Sequence, residues 1–160
     1  MKILSGAEEK EATKFIDEAV KVAKKSPCFR SKCGSVIVKD RKIIGSGFNA
    51  PPLDKKLTKC FKDDIPKNFK SDRSCCIHAE ERAIMDALRN HSEKIIGSRL
   101  YFIRLDKDTD KKLHAGKPFC TICSKMALDA RIKEFVLWHE QGITVYNTDE
   151  YNTLSFEYRE

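Results

Sequence analysis

Residues 74–84 read SCCIHAEERAI, and this stretch decides how the rest of the chain is interpreted. Apolar side chains recur at Ala79, Ala83 and Ala87, which is the spacing of one face of a helix. The pattern predicts a helix from about His78 to Arg89. One histidine and two glutamates therefore stand in the first turn of that helix.

Outside this helix, the chain alternates between helical and strand-like patterns. A helix that starts with a capping box at Ser5 and Glu8 is followed by the segment CGSVIVKDRKIIGSGFN, residues 33–49, which predicts a hairpin. The full order is helix, hairpin, helix, strand, helix, strand, strand, helix. Strands that alternate with helices indicate one shared sheet covered on both faces. We expect a single domain over residues 1–160, with a long loop insertion at about 50–74.

The composition is that of a globular protein with a basic surface. The chain has 160 residues, of which 41% are hydrophobic and 34% charged, and its net charge is +7. This charge favours an anionic partner, although a lysine-rich surface that only confers solubility is the alternative. The N-terminal segment lacks the apolar run of a signal peptide, and no window approaches the roughly 18 apolar residues of a spanning helix. We therefore expect a cytoplasmic protein without membrane association.

In a cytoplasmic protein, the seven cysteines point to metal binding or catalysis rather than to disulfides. One arrangement is a closed structural zinc site, in which Cys75 and His78 join Cys120 and Cys123. However, 42 positions separate His78 from Cys120, whereas compact zinc modules use spacers of about 12–20 residues. A closed site also gives Glu80 no role.

The second arrangement is an open, reactive site. His78, Cys120 and Cys123 would bind zinc, and water would take the fourth position. Two cysteines three residues apart at a helix start face the same side, where the helix end stabilises thiolates. Glu80 would then carry a proton to the leaving group. The alternative for Glu80 is an ordinary acidic residue in the first turn of a helix.

Two motifs carry a resemblance to a known family. His78-Ala79-Glu80 and Cys120-Thr121-Ile122-Cys123 resemble the signature of the zinc-dependent cytidine deaminase superfamily. The stretch CGSVIVKDRKIIGSGFNAPP, residues 33–52, is similar to the hairpin of its deoxycytidylate deaminase branch. The resemblance covers about residues 28–138. It implies a three-layer α/β/α sandwich with a central mixed five-stranded sheet.

The resemblance also implies a reaction and a set of site residues. Water activated on zinc would attack C4 of cytosine, and Glu80 would be the proton shuttle. The backbone of Ala79 would meet the base, and Asn49 would contact the sugar or phosphate. The zinc ligands would be His78, Cys120 and Cys123. Phe119 stands between Pro118 and Cys120, where the family usually places proline next to the cysteine, so the shape of the substrate pocket is left open.

Some deoxycytidylate deaminases use a second, structural zinc near the same segments. The resemblance extends this possibility to four further cysteines, which flank the long loop: Cys28, Cys60, Cys75 and Cys76. Such a metal would fix the loop over the active site. The alternative is four ordinary thiols, and Cys33 is expected to be a small core residue.

The substrate expected from the resemblance is a pyrimidine nucleotide or nucleoside, with dCMP converted to dUMP and ammonia. Basic residues of the long loop could pair with a phosphate. These are Lys55, Lys56, Lys59, Lys62, Lys67, Lys70 and Arg73. We also expect a homo-oligomer.

Two other classes of function stay open. One is a deaminase that edits tRNA or single-stranded DNA, which would stack flanking bases on aromatic side chains. The aromatic candidates are Phe48, Phe61, Phe69 and Phe119. The other is a zinc-binding module without catalysis, which would give Glu80 no role.

Overall fold

The structure is a computed structural model that describes residues 1–66 and 75–159. Its helices are α1 (Gly6–Ala23), α2 (Ala79–His91), α3 (Thr121–Asp129) and α4 (Thr148–Glu157). Its strands are β1 (Lys2–Ile3), β2 (Ser31–Lys39), β3 (Lys42–Phe48), β4 (Arg99–Asp106), β5 (Lys112–Leu113), β6 (Glu134–His139) and β7 (Gly142–Asn147). The order of helices and longer strands is the predicted one. Within the described part of the chain, no helix is both long and apolar enough to cross a membrane.

All strands belong to one sheet, in the order β1-β7-β6-β4-β2-β3, with β5 paired to β4. The pairing of β4 with β6 is parallel and the others are antiparallel, so the sheet is mixed as expected. The expected count of five strands is wrong, because the described chain forms seven. The two additional strands, β1 and β5, have two residues each. Strands this short have no alternation of side chains from which they could be predicted.

The sheet separates two apolar cores. In β2, Val36 and Val38 pack into one core with α1, whereas Ile37 between them packs into the other core with α2. This alternation follows from the two-residue period of a strand. Ala127 of α3 and Tyr151 of α4 join the core of α2. The three-layer α/β/α architecture is therefore confirmed.

The local sequence pattern predicts the hairpin correctly, but it does not predict how the N-terminus of the first helix is capped. Asp40 and Arg41 both have positive φ, 49° and 61°, which matches the right-handed twist of a two-residue hairpin turn. By contrast, Ser5 is the N-cap of α1 but makes no capping hydrogen bond with its side chain. The carboxylate of Glu8 pairs with Lys2 instead. The helix starts where predicted, without the predicted capping box.

The sheet register brings together strand ends that are distant in sequence. Because β2 is antiparallel to β4, Ser31 at the start of β2 lies opposite Asp106 at the end of β4. The first residues of α2 and the N-cap residue of α3, Cys120, line a cavity beside these strand ends. Helix α2 lies unusually close to β3, since a Cβ on Gly47 would be only 2.4 Å from the carbonyl oxygen of Ala79. Because Gly47 has no side chain, the first turn of α2 can lie directly against β3.

Candidate active site

Three potential metal ligands converge where α2 and α3 begin. Nδ1 of His78 lies 3.2 Å from Sγ of Cys123 and 3.3 Å from Sγ of Cys120, and the two sulfur atoms are 3.2 Å apart. Zinc bonds of about 2.0–2.3 Å in a tetrahedron place such ligand atoms about 3.6–3.8 Å apart. The triangle would therefore open by about half an ångström around a zinc ion. Among the described residues, only this set forms a group of three or more that could hold a metal ion.

The N-terminus of α3 positions the two cysteine ligands, and hydrogen bonds there change their pKa values. Cys120 is the N-cap of α3, and its sulfur accepts a hydrogen bond of 3.4 Å from the amide of Cys123. Hydrogen bonding with the Cys123 thiol lowers the pKa of Cys120 to about 4, and the same bond with burial raises the pKa of Cys123. The pair thus shares a proton, with Cys120 the thiolate. A bound cation would favour loss of the second proton.

His78 is held at the start of α2 by the second glutamate of the first turn, Glu81. The carboxylate of Glu81 accepts a hydrogen bond of 2.9 Å from the His78 amide. This bond satisfies a backbone donor that the helix leaves unpaired. Hydrogen bonding to Cys120 raises the pKa of the His78 imidazole to about 9. Glu81 therefore has a capping role, and Glu80 is left to face the cavity.

Glu80 is a buried carboxyl group beside the three ligands. Its residue is only 6% exposed, and it lines the same cavity as His78 and Cys120. Burial raises the pKa of Glu80 to about 7, the Cys120 thiolate acts in the same direction, and His78 opposes them. A carboxyl group with a pKa near neutrality can both accept and donate a proton under physiological conditions. This is the behaviour required of a proton shuttle.

The cavity has a volume of about 230 Å³, and both apolar and cationic side chains line it in addition to the ligand group and Glu80. Apolar side chains of Phe102, Leu137 and Tyr151 line one part. The cationic residues that line it are Arg30, Lys62, Arg104 and Lys117. Of the loop lysines expected to bind phosphate, only Lys62 is among them in the described chain, and Lys67, Lys70 and Arg73 lie outside the described residues. Sequence reasoning missed Arg30 and Arg104, because only the pairing of β2 with β4 places them at one edge.

Asn49 and Ala79, the two residues expected to contact substrate, both line the cavity. Ala79 is fully buried against β3. The amide of Asn49 is held by protein partners: Oδ1 accepts from the Ser26 hydroxyl at 2.6 Å and from the Cys33 amide at 2.7 Å, and Nδ2 donates to the Ser31 carbonyl at 3.0 Å. These bonds give Asn49 a structural role at the cavity wall. Its contact with substrate stays a prediction.

The four cysteines of the possible second metal site all line the cavity. Hydrogen bonding with the Cys76 thiol lowers the pKa of Cys28 to about 5, and Sγ of Cys75 lies 3.8 Å from Sγ of Cys76. Cys60 is buried nearby and interacts with the Arg30 side chain. Three of these thiols are neighbours, yet they do not form a compact ligand group within the part of the chain that the structure describes. A second metal stays a prediction.

Phe119, which separates Pro118 from Cys120, is one of the residues that line the cavity. Pro118 is buried, whereas Phe119 is 59% exposed and packs against the ring of Tyr158 with 5.9 Å between centroids. The ring also borders the cavity. The inserted residue therefore lines the entrance without displacing Cys120 from the ligand group.

Comparison with known proteins places this site in a family. Residues 9–139 match the model of the "cytidine and deoxycytidylate deaminase zinc-binding region". A deoxycytidylate deaminase of Mycobacterium phage D29 is 32% identical over 98 residues, which are 56% of this chain and 74% of that protein. The deoxycytidylate deaminase of Saccharomyces cerevisiae is 35% identical over 81 residues, which are 48% of this chain but only 25% of the yeast protein.

Two solved structures that resemble this chain are also deaminases. The dCMP deaminase of cyanophage S-TIM5, crystallised in complex with dCMP and dUMP, is 26% identical with a TM-score of 0.55, and 82% of each chain is covered. A cytidine deaminase from Burkholderia pseudomallei shares the fold with a TM-score of 0.57 at 16% identity, over 87% of this chain and 94% of that one. The matched region includes both metal-binding motifs and most of the chain, and the protein therefore belongs to the family of the cytidine and deoxycytidylate deaminase zinc-binding region.

Proposed function

We propose that the protein is a zinc-dependent hydrolytic deaminase that converts dCMP to dUMP and ammonia. The observation that carries this proposal is the buried carboxyl group of Glu80 beside the ligand triangle of His78, Cys120 and Cys123, in one cavity. A structural zinc site needs no such group, and neither does a module that only binds zinc. An open zinc site needs one to move protons.

The residues of the chain divide the chemistry between them. His78, Cys120 and Cys123 would hold zinc, which supplies a water molecule whose pKa is lowered to about 7. Glu80 would accept a proton from the attacking water and return it to the leaving nitrogen, since its pKa near 7 suits both steps. The backbone of Ala79 would meet the base beside this acid. Phe102, Leu137 and Tyr151 would exclude water from the other part of the cavity.

The cationic side chains favour a nucleotide over a nucleoside. Arg30, Lys62, Arg104 and Lys117 line the cavity, whereas Glu80 is its one acidic lining residue among those described. Arg30 is already paired with Asp63 at 2.6 Å, so Arg104 is the stronger candidate for a phosphate. The solved relative from cyanophage S-TIM5 was crystallised with dCMP and dUMP. Both facts support a 5′-monophosphate as the substrate.

A mass-spectrometric assay tests the proposal. The zinc-loaded protein is incubated with cytosine, cytidine, deoxycytidine and their monophosphates, and each is followed for the mass change from amine to carbonyl. We expect conversion of dCMP at the highest kcat/KM and much slower conversion of deoxycytidine. No conversion of any pyrimidine by protein with bound zinc would refute the proposal.

A nucleic-acid substrate is the second candidate, and two exposed rings favour it. Phe61 is 48% exposed and Phe119 is 59% exposed near the cavity. The other candidates offer less: Phe48 is covered by the Arg82 guanidinium at 4.8 Å, and Phe69 lies outside the described residues. Single-stranded oligonucleotide included in the assay decides between the two. Deamination of oligonucleotide without deamination of dCMP, with binding that weakens steeply in salt, would establish the second candidate.

Three further properties belong to the same proposal. Residues 1–160 would form one deaminase domain, the protein would act in the cytoplasm, and copies of the chain would assemble into a homo-oligomer. The basis for the assembly is the family resemblance. Light scattering of the purified protein measures the mass of the assembly directly, and a monomer at micromolar concentration would contradict the prediction.

A further inference from the structure

One wall of the cavity is a short segment without regular secondary structure. Residues 114–118 lead from β5 to the N-terminus of α3, and Ala115, Gly116 and Lys117 line the cavity. A Cβ on Gly116 would meet nothing within 4 Å, so this position borders open space. The contacts of the segment lie toward its N-terminal end.

The segment is fastened at the end of β6. The Ala115 amide donates a hydrogen bond of 2.8 Å to the Trp138 carbonyl, and the ring of His114 packs against that of Trp138 with 4.0 Å between centroids. The third contact comes from His139, whose Nδ1 lies 3.1 Å from the carbonyl oxygen of Ala115. Two side chains hydrogen-bond to the backbone of the segment: His139 at the Ala115 carbonyl, and Arg104, which donates to the His114 carbonyl at 3.4 Å. The bond from His139 is the shorter one and the only one of the two that reaches a cavity-lining residue.

His139 is buried and has a partner on each ring nitrogen. The residue is 7% exposed, and Nε2 lies 2.9 Å from the hydroxyl of Tyr146, which is itself buried. A carbonyl oxygen can only accept, so Nδ1 must carry the proton toward Ala115. With the Nδ1 proton directed at Ala115, Nε2 can accept a hydrogen bond from the Tyr146 hydroxyl. This arrangement satisfies every polar atom of the ring and fixes its orientation.

The same contacts reach the apolar part of the cavity. The ring of Tyr146 packs edge-on against Tyr151 at 5.7 Å, and Tyr151 stacks on Phe135 at 4.0 Å. Tyr151 lines the cavity together with Ala115. His139 therefore stands between two cavity walls, one backbone and one aromatic, although it touches neither the metal ligands nor the cavity.

We propose that His139 is a positioning residue, whose Nδ1–H group holds the wall formed by residues 115–117 in the conformation that binds substrate. Its effect on turnover rests on the proposed deaminase function, whereas its effect on the wall does not. The hydrogen bond from Nδ1 should affect substrate affinity. The hydrogen bond from Tyr146 to Nε2 should affect mainly stability, since the Tyr146 hydroxyl contacts none of residues 115–117.

Three variants separate the two ring nitrogens. In His139→Gln the side-chain amide takes the place of Nε2 and the donor to Ala115 is lost, whereas in His139→Asn it takes the place of Nδ1 and the donor is kept. Tyr146→Phe removes only the hydroxyl. We expect His139→Gln to raise KM for dCMP at least fivefold with kcat within twofold, and to speed amide hydrogen exchange over residues 114–117. His139→Asn should restore both toward wild type, and Tyr146→Phe should lower Tm with KM within twofold.

The proposal is overturned if His139→Gln leaves both KM and exchange unchanged, or if Tyr146→Phe raises KM as much as His139→Gln does. Should wild-type protein not convert dCMP, the proposed function fails, and hydrogen exchange alone still decides whether His139 holds the wall. A measurement on wild-type protein covers the case of a variant that does not fold. In the nitrogen-15 NMR spectrum of labelled histidine, His139 should show the tautomer protonated at Nδ1, and the opposite tautomer would refute the proposal.

Discussion

A Cβ atom added to Gly47 would lie 2.4 Å from the carbonyl oxygen of Ala79, closer than any relaxed packing allows. Strand β3 and the first turn of α2 are therefore in contact through backbone atoms. This contact determines the position of the turn that carries His78 and Glu80. The geometry of the candidate active site thus depends on Gly47, a residue that contributes no side chain to it.

Replacement of Gly47 with alanine should displace the start of α2. Because the clash is with backbone, we expect a loss of about 1–3 kcal/mol in the free energy of unfolding, with at least tenfold lower kcat/KM. Gly45→Ala is the matched control, since its Cβ would lie 2.5 Å from the Ala83 carbonyl, one turn further from His78. It should lower stability similarly but leave more activity. Equal loss of activity in both variants would show that the whole helix position matters, not its first turn.

Glu80→Gln should abolish turnover while zinc stays bound. General acid–base catalysis contributes about 10²–10⁴ in rate, and we expect kcat to fall by at least that factor. Glu81→Gln changes the same charge at the next position and should keep activity within tenfold, because glutamine can still accept the bond from the His78 amide. Activity is measured with dCMP, and zinc by atomic spectroscopy. Loss of zinc from Glu80→Gln would mean that Glu80 is a ligand rather than a proton shuttle.

Removal of metal should inactivate the protein and destabilise it. A chelator leaves two buried sulfurs and an imidazole at 3.2–3.3 Å from one another without a cation. We expect lower Tm and no turnover, with both restored by added zinc. Cys123→Ser should lose the metal in the same way, whereas Cys33→Ala should retain it.

The zinc content of fully loaded protein tests the second metal. If Cys28, Cys60, Cys75 and Cys76 supply ligands, the stoichiometry should approach two zinc ions per chain, and Cys28→Ala should reduce it to one. A value near one for the unaltered protein would reject the second site.

Arg104 should distinguish nucleotide from nucleoside. An arginine that pairs with phosphate contributes only when the phosphate is present, so Arg104→Gln should raise KM for dCMP about tenfold and leave the slow turnover of deoxycytidine unchanged. Arg89→Gln removes the same charge from an exposed position at the end of α2 that does not line the cavity. Its kinetics should match those of the unaltered protein. An equal rise in KM for dCMP and deoxycytidine in Arg104→Gln would assign Arg104 a structural role.

Replacement of Asn49 tests whether its role is structural. Asn49→Ala leaves the partly buried Cys33 amide and Ser31 carbonyl without their partner, and an unpaired group costs up to about 1–3 kcal/mol when it is fully buried. We therefore expect a clear loss in the free energy of unfolding, measured by denaturant titration. Asn49→Asp keeps the acceptor and should be the milder change. Unchanged stability with raised KM would instead show that Asn49 serves the substrate.

The sequence by itself determined the chemistry. The motifs His78-Ala79-Glu80 and Cys120-Thr121-Ile122-Cys123 predicted the ligand group through their resemblance to a family signature. Cys120 and Cys123 are three residues apart at a helix start, so they share a face whatever the fold. The alternation of strands with helices along the chain likewise predicted one shared sheet covered on both faces. These are local signals, and the described structure contains the groups they predicted.

Only the tertiary structure decided what surrounds that chemistry. The pairing of β2 with β4 brings Arg104 into the cavity, and the end of β6 brings His139 against Ala115. Strands β1 and β5 are formed by two residues each that pair with neighbours distant in sequence. Such contacts depend on register and on which chain ends meet, and these follow from the packing of the complete sheet rather than from any local pattern of residues.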